Sequence, residues 1–320
     1  MTGNPDPERL RQAIVVVAGP TASGKSACAL DLAMEFDGCV INADSMQVYQ
    51  DLHVITARPS AADVARAPHS LYGMLPGREV CSAMRWAEMA AAEIAVCRMA
   101  GLLPVVCGGT GLYIRALMDG MSPIPDIPDE IRQRSRAEMD DMGNAAFHAR
   151  LAEVDPVTAA RLNVGDTQRL CRAWEVWEAT GRSITDWQTE PNVRLIDGAF
   201  FPILIAPPRD QLYASCDRRF DLMMDSGALE EVRGLDAQAL PEDAPILKAL
   251  GVPELRALLH GRMDRAEAIR ASKQATRNFA KRQMTWFRGQ LNSREILPAQ
   301  YSESSRSEIF AKVRRFLLTG

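Results

Sequence analysis

The sequence predicts an α/β fold in which a parallel sheet with crossover helices carries an inserted all-helical domain. Three observations support this prediction. Short apolar runs alternate with helical patterns in the first third of the chain, a glycine-rich turn follows the first run, and a proline-rich segment then leads into helical patterns alone. Alternating strands and helices are typical of parallel sheets, in which active residues cluster at the carboxyl ends of the strands.

The first element is the apolar run IVVVA, which the turn GPTASGKS at residues 19–26 joins to a helical pattern. The turn fits G-x-x-x-x-G-K-[ST], the P-loop pattern, in the strand-then-helix context that this pattern requires. Backbone N–H groups at such a turn bind phosphate oxygens, the lysine adds positive charge, and the last hydroxyl faces Mg²⁺. We therefore predict a phosphate or diphosphate site with Ser26 as metal ligand and Mg²⁺ as cofactor. Its residues are Gly19, Ala22, Ser23, Gly24, Lys25 and Ser26.

The next strands are predicted in CVINAD and LLPVVCGG, with a helix that begins near Ser82 between them. Because the carboxyl ends of parallel strands meet at one edge of a sheet, Gly19, Asp44 and Gly108 are expected to lie together. The run LLPVVCGGT ends without a carboxylate, so we expect Asp44 to act as a metal-shell ligand or as a base. The nearby Ser45 and Gln47 can read a base edge, which favours substrate contact over a capping role for Asp44.

The proline-rich segment MSPIPDIPDE at residues 121–130 ends this alternation. Helical spacing of apolar residues then continues to about Glu190. The run AFFPILIA at residues 199–206 is predicted to return to the sheet as a buried strand, and the remainder is predicted to be helical. We therefore predict two domains, a P-loop core of residues 1–120 and 197–320 and a helical insertion of residues 121–196.

The composition is typical of a globular protein of the cytoplasm. The seven cysteines are scattered, form no C-x-x-C pair and fall mostly in apolar segments, as reduced thiols do. The start, MTGNPDPERLRQ, has no apolar signal segment, and no later stretch approaches about eighteen uncharged apolar residues. Neither secretion nor membrane insertion is expected, and we expect a monomer.

Positive charge is concentrated near the end of the chain although the net charge is −4. No acidic residue occurs between Ala268 and Arg294. Five cations in this stretch follow helical spacing and would lie along one side of a helix, and we call them the cationic stripe. They are Arg270, Lys273, Arg277, Lys281 and Arg288. The stripe is a candidate surface for a polyanion, and the alternative is a solvated helix face.

Together these motifs resemble those of the tRNA dimethylallyltransferases, also called tRNA isopentenyltransferases. GPTASGKS matches the P-loop of that family, DSMQVY at residues 44–49 resembles its D-S-x-Q-x-Y, and TARP at 56–59 resembles its T-A-K-P. GGTGLYIRAL at 108–117, DTQRLCRAWEV at 166–176 and TRNFAKRQMTWFR at 276–288 are similar to further elements of the family. The resemblance covers nearly the whole chain.

The resemblance implies transfer of a dimethylallyl group from dimethylallyl diphosphate to the exocyclic N6 amine of adenosine 37 in tRNA. The loop at 19–26 would then hold a leaving diphosphate, which Thr21, Lys25 and Arg219 would contact. Asp44 would be the base that removes the N6 proton, with Lys25 and Arg219 as the other catalytic residues. The helical insertion would grip the anticodon stem-loop. The implied tRNA-binding residues are Asp44, Ser45, Met46, Gln47, Thr110, Arg132, Gln168, Arg169, Leu170, Cys171 and Arg172.

The sequence also departs from the family pattern. Ile55 stands where the family has glycine, Ser215 where it commonly has arginine, and Val252 where a tyrosine is expected. Arg219 is then the only arginine of its pair in place. We expect an active enzyme with altered tRNA contacts.

Two other functions fit parts of the sequence. A small-molecule P-loop kinase would share the first strand, loop and helix, but the long helical insertion does not suggest the arginine-bearing lid that a kinase needs. A non-catalytic RNA-binding protein would tolerate loss of Lys25 or Asp44. Consumption of ATP would separate the kinase from the transferase.

Overall fold

The computed structural model of the protein describes residues 12–293 and 295–319. The chain divides into two compact units. The core unit comprises the residues up to Met118 and from Leu195 onwards, and the insertion unit is Asp119–Arg194. Arg294, which ends the predicted acid-free stretch, lies outside the described residues.

The core unit contains a parallel sheet with the strand order β3-β2-β4-β1-β5-β6. The strands are β1 Ala13–Ala18, β2 Gly38–Asn42, β3 His69–Ser70, β4 Leu103–Gly108, β5 Ala199–Ile205 and β6 Glu295–Leu297. The first helices are α1 Lys25–Glu35, α2 Ala61–Arg66, α3 Ala83–Ala100 and α4 Gly111–Asp119. After the insertion follow α9 Arg209–Asp225, α10 Ala228–Asp236, a 3-10 turn Pro245–Lys248, α11 Val252–Leu259, α12 Arg265–Gln290 and α13 Glu303–Thr319.

The central strands are buried along their whole length, which explains why their sequences are continuous apolar runs. Val15 of β1 pairs with Val105 of β4 on one side and with Phe201 of β5 on the other. The register places the end of β1 beside Gly108 and the end of β2 beside Cys107. The carboxyl ends of β1, β2 and β4 therefore form one edge, as the sequence predicts.

Local sequence signals begin and end the helices. The Ser82 side chain accepts a hydrogen bond from the Arg85 N–H at the start of α3, which confirms the predicted start near Ser82. Gly24 precedes α1 with a φ of 90°, a left-handed conformation that favours glycine. A β-carbon at this position would also lie 3.0 Å from the Tyr301 β-carbon, so both conformation and space require glycine in the loop.

The strand predicted near residues 199–206 is confirmed by β5, which pairs with β1. The prediction that the remainder is helical is wrong at β6, which pairs in parallel with β5. With three residues β6 is too short to show a periodic pattern, and only its pairing with β5 identifies it. The two-residue β3 was not predicted for the same reason.

The insertion unit is helical, with α5 Asp129–Val154, α6 Pro156–Arg161, α7 Thr167–Thr180 and α8 Ile184–Trp187. Its core contains Phe147, Leu151, Leu170 and Trp174, and the Phe147 and Trp174 rings meet edge to face with their centroids 5.9 Å apart. An antiparallel bridge between Met121 and Val193 joins the two ends of this unit. Among the described helices of the whole chain, none is long and apolar enough to cross a membrane.

Candidate active site

The carboxyl edge of the sheet brings three loops of the core unit together. The Ala43 N–H donates to the Cys107 carbonyl at 2.8 Å, and the Thr110 N–H donates to the Ala43 carbonyl at 3.1 Å. These bonds hold the end of β4 against the end of β2. A β-carbon on Gly108 would lie 2.0 Å from the Ala43 carbonyl oxygen, so this approach requires glycine.

Asp44 is held in place by its neighbour Asn42. The Asn42 side chain is fully buried, accepts a hydrogen bond from the Asp44 N–H at 2.9 Å and donates to the carbonyls of Asp44 and Leu71. Asp44 Oδ1 accepts a hydrogen bond from the Met46 N–H at 2.9 Å. The backbone around Asp44 is therefore fixed by buried polar groups, and sequence analysis did not identify the role of Asn42.

The loop at 19–26 is joined to the end of β4 by Gln283 of α12. Gln283 Oε1 accepts a hydrogen bond from the Thr21 N–H, and Gln283 Nε2 donates to the Gly109 carbonyl, both at 2.8 Å. The side chain is 6% exposed. Sequence reasoning missed this residue, although it lies within the TRNFAKRQMTWFR element that carries the family resemblance.

Two predicted cations, Lys25 and Arg219, lie at this loop. Burial lowers the pKa of Lys25, and the Asp44 carboxylate opposes that shift. The Lys25 ammonium donates to the Pro20 carbonyl at 3.3 Å. Arg219 of α9 donates to the Thr21 hydroxyl, and burial lowers the pKa of its guanidinium. The structure thus brings Arg219, which is far along the chain, to the loop that contains Lys25.

Two cavities adjoin these residues. The first has a volume of about 220 Å³, and its charged lining residues are Asp44, Arg219, Lys248 and Arg282. Its apolar wall is formed by Met46, Ile55, Phe220, Met223, Leu250 and Phe279. The second, of about 360 Å³, runs along the loop from Ala22 to Ala27 and is also lined by Arg219. One carboxylate and three cationic side chains therefore line one partly apolar space, and a second space with cationic residues lies along the loop.

The wall at Ile55 is held by Glu231 of α10. Its carboxylate accepts hydrogen bonds from the backbone N–H groups of His53, Val54 and Ile55, the last two at 2.8 Å. A second support comes from Gln47, whose side-chain amide donates to the Thr56 and Ala57 carbonyls at 2.9 Å. The amide donors of Gln47 are thus used inside the protein, beside Ala57 with its positive φ of 53°.

The other predicted RNA contacts fall in both units. In the core unit, Ser45 and Met46 line the first cavity, and the Thr110 hydroxyl accepts a hydrogen bond from the Ser45 N–H at 2.9 Å. In the insertion unit, the remaining six positions lie on α5 and α7. Gln168 and Arg169 are exposed, Arg132 and Arg172 are half-buried, and the side chains of Leu170 and Cys171 pack in the core of that unit.

Arg132 and Arg172 lie near one buried carboxylate in the insertion unit. Arg172 is 3.6 Å from Glu175, which is 7% exposed. Burial raises the pKa of Glu175, and the positive charges of Arg172 and Arg132 oppose that shift. Glu175 therefore attracts two of the predicted RNA-binding arginines to one part of the insertion surface.

The cationic stripe lies on α12 but is not free along its whole length. Lys273 pairs with Asp221 at 2.7 Å, and Arg277 pairs with Asp217 at 2.6 Å, so these two cations join α12 to α9. Arg270, Lys281 and Arg288 are exposed. The sequence predicts a polyanion surface of five cations, but only these three residues of the stripe remain candidates for contact with a polyanion.

Comparisons with known proteins extend these observations. A family model described as IPP transferase matches residues 47–290, and a second, described as isopentenyl transferase, matches residues 12–72. A tRNA dimethylallyltransferase of Paramagnetospirillum magneticum is 54% identical over 305 residues, which cover 95% of this chain and 97% of that protein. A tRNA dimethylallyltransferase of Rhodospirillum centenum is 53% identical over 279 residues, which cover 87% and 89%.

A solved structure has the same fold. The crystal structure of the full-length tRNA isopentenylpyrophosphate transferase of Bacillus halodurans matches with a TM-score of 0.69 and 29% identity, over 96% of this chain and 97% of that one. Because the family model covers most of the chain and relatives are identical at about half of its residues, the chain belongs to the IPP transferase family, among the tRNA dimethylallyltransferases.

Proposed function

We propose that the chain transfers a dimethylallyl group from dimethylallyl diphosphate to the N6 amine of adenosine 37 in tRNA. The observation that carries this proposal is the first cavity, where Asp44 and Arg219 face a common space with an apolar wall. An allylic diphosphate has an apolar body and an anionic end, and these match the apolar wall and the cationic loop. The Asp44 carboxylate is then available to accept a proton from the attacking N6 amine.

The proposed reaction exchanges one bond for another. The allylic C–O bond breaks and its electron pair stays on the diphosphate oxygen, while adenine N6 forms the new bond to carbon and loses a proton to Asp44. The lone pair of the adenine amine is delocalised into the ring, so a base is needed. A positioned general base contributes roughly 10²–10⁴-fold to such a step.

The diphosphate end is proposed to bind along the 19–26 loop, with Thr21, Lys25 and Arg219. Negative charge grows on the leaving diphosphate as the C–O bond breaks, so fixed donors there stabilise the transition state more than the ground state. Burial lowers the pKa of Lys25 in the free chain. A bound anion favours the charged ammonium and therefore opposes this shift.

Mg²⁺ is proposed to accompany the diphosphate. Ser26 is exposed at the start of α1 and lines the second cavity, whose lining contains no carboxylate. Over the described ranges, no group of three or more His, Cys, Asp or Glu side chains could hold a metal. A hydroxyl without neighbouring carboxylates fits an ion bound by Ser26, substrate phosphate oxygens and water, which is a common arrangement for Mg²⁺. When bound, the ion would supply positive charge to the diphosphate.

The tRNA is proposed to be bound by residues of both units. An adenine stacked within the anticodon loop does not reach the Asp44 carboxylate, so we propose that the adenosine is flipped out. The free-energy cost of flipping is comparatively low in a single-stranded loop. Ser45, Met46 and Thr110 would surround this base. Arg132, Gln168, Arg169 and Arg172 of the insertion unit would contact the anticodon stem-loop, chiefly at its phosphates.

The compartment and the assembly state are part of the same proposal. All seven cysteines are free thiols, which supports a location in the reducing cytoplasm. For the assembly state we propose a monomer.

Mass spectrometry of the RNA tests the proposal. Purified protein with Mg²⁺ is incubated with an unmodified anticodon stem-loop and either dimethylallyl diphosphate or ATP. A matched stem-loop with guanosine in place of the target adenosine is the control. We expect a gain of one C5H8 unit on the adenosine-containing RNA alone, without ATP. ATP turnover without prenylation would support the kinase, which family membership does not favour, and RNA binding without either reaction would support a non-catalytic role.

A further inference from the structure

The cavity along the 19–26 loop contains a cation that the proposed reaction has not used. Its lining includes three cationic side chains, those of Lys25, Arg218 and Arg219, and no acidic one. A space with three positive charges and no carboxylate is suited to an anion with several negative charges. Arg218 is therefore a candidate contact for the same diphosphate.

The position of Arg218 on its helix directs it to this cavity. Ser215, Arg218, Arg219 and Leu222 occupy positions i, i+3, i+4 and i+7 of α9, and all four line the cavity. Residues with this spacing share one face of a helix. The face of α9 that carries Arg219 to the loop therefore carries Arg218 as well.

Ser215 orients the guanidinium of Arg218. Arg218 Nη2 donates a hydrogen bond to Ser215 Oγ at 2.9 Å, and Ser215 Oγ donates to Gln300 Oε1 at 2.9 Å. Ser215 is 6% exposed. The residue after Gln300, Tyr301, donates its backbone N–H to the Ser23 carbonyl of the loop at 3.2 Å. Two side-chain hydrogen bonds thus connect Arg218 to Gln300, and the backbone of the next residue binds the phosphate-binding loop.

The charge of Arg218 is not neutralised by the acids on its own helix. Asp217 is paired with Arg277, and Asp221 is paired with Lys273. Across the described residues, no carboxylate forms an ion pair with Arg218. An arginine without a carboxylate partner, held beside a cationic cavity, remains available to an anionic ligand.

We propose that Arg218 is the second arginine of the diphosphate site, in place of the arginine that the family commonly carries at position 215. This inference rests on the proposed function, because it assigns the ligand of the second cavity. Arg218 and Arg219 then contact the diphosphate from one face of α9, and Ser215 serves as the hydrogen-bond acceptor that orients Arg218. The planar guanidinium can bind two phosphate oxygens at once, which a lysine ammonium cannot do in the same geometry.

The test is a comparison of Arg218→Ala with the parent chain and with Arg209→Ala. Arg209 lies in the first turn of the same helix, over the Tyr213 ring, and does not line the cavity. Binding of pyrophosphate in the presence of Mg²⁺ is measured by calorimetry without RNA. The KM values for dimethylallyl diphosphate and for the stem-loop RNA are measured separately, and thermal unfolding verifies that each variant is folded.

For Arg218→Ala we expect about tenfold weaker pyrophosphate binding and about tenfold higher KM for dimethylallyl diphosphate, with the KM for RNA unchanged. Arg209→Ala should leave all three values at the parental level. Parental pyrophosphate binding by Arg218→Ala would overturn the inference, as would a rise in the KM for RNA alone, which would assign Arg218 to the RNA backbone. Because calorimetry needs no prenyl transfer, it decides the role of Arg218 even if the proposed reaction is not observed. A parent chain that binds no pyrophosphate would overturn both.

Discussion

Replacement of Gln283 by leucine is expected to weaken both the fold and diphosphate binding. The side chain joins the Thr21 N–H of the loop to the Gly109 carbonyl at the end of β4, through two hydrogen bonds of 2.8 Å. Leucine has a similar size but cannot form either bond. Because Gln283 is almost completely buried, water cannot readily replace it as a partner.

The magnitude follows from the two groups that lose their partner. A buried donor or acceptor without a hydrogen bond costs about 1–3 kcal/mol. For the Thr21 N–H and the Gly109 carbonyl together, we expect the free energy of unfolding to fall by about 2–6 kcal/mol. Without these bonds the 19–26 loop is less ordered, and part of the binding free energy of the diphosphate is then used to order it. The KM for dimethylallyl diphosphate should therefore rise by about fivefold or more.

Urea unfolding followed by tryptophan fluorescence, together with steady-state kinetics, measures both effects. Gln290→Leu, at the end of the same helix, is the control, because Gln290 is exposed and its side chain has one long contact of 3.4 Å with Arg115. This control should change stability by less than about 0.5 kcal/mol. If Gln283→Leu unfolds like Gln290→Leu and keeps the parental KM, the two hydrogen bonds do not position the loop and the reasoning is refuted.

Three further changes test other parts of the site. Asp44→Asn should slow prenyl transfer by roughly 10²–10⁴-fold because the general base is lost, whereas RNA affinity should stay near the parental value. Transfer at the parental rate would show that Asp44 is not the base. Lys25→Met should abolish pyrophosphate binding in calorimetry but raise the urea midpoint at pH 7, since burial disfavours the charged ammonium. Because the pKa of Lys25 is lowered in the folded chain, the unfolded chain binds more protons there, and the stability of the parent should rise as the pH approaches the ordinary lysine pKa. The difference in free energy of unfolding between the parent and Lys25→Met should therefore narrow with rising pH. A difference that stays constant with pH would contradict this. Gly108→Ala should lower the melting temperature strongly because its β-carbon would meet the Ala43 carbonyl. Gly234→Ala in α10 is the control, because its β-carbon would lie in open space, and it should be neutral or stabilising. Equal melting temperatures of the two variants would exclude the close approach of Gly108 to Ala43.

Much of the fold follows from patterns within short stretches of the chain. The apolar runs of β1, β2 and β4 indicate buried parallel strands, and the turn at Gly24 and Lys25 lies between strand and helix as its pattern requires. The position of Asp44, two residues after the end of β2, is enough to predict that it lies at the carboxyl edge. Such features depend on neighbouring residues, so a single sequence reveals them.

The tertiary structure alone decided which distant residues complete the site. Gln283 lies 262 positions from Thr21, and Glu231 lies 176 positions from Ile55, so no local pattern could pair them. The cationic stripe shows the same limit, because helical spacing places Lys273 and Arg277 on one side of α12 but does not reveal the carboxylates of α9 that pair with them. Sequence determines the residue types and the periodicity of each element, whereas hydrogen bonds and ion pairs between elements depend on packing that brings remote side chains within about 3 Å.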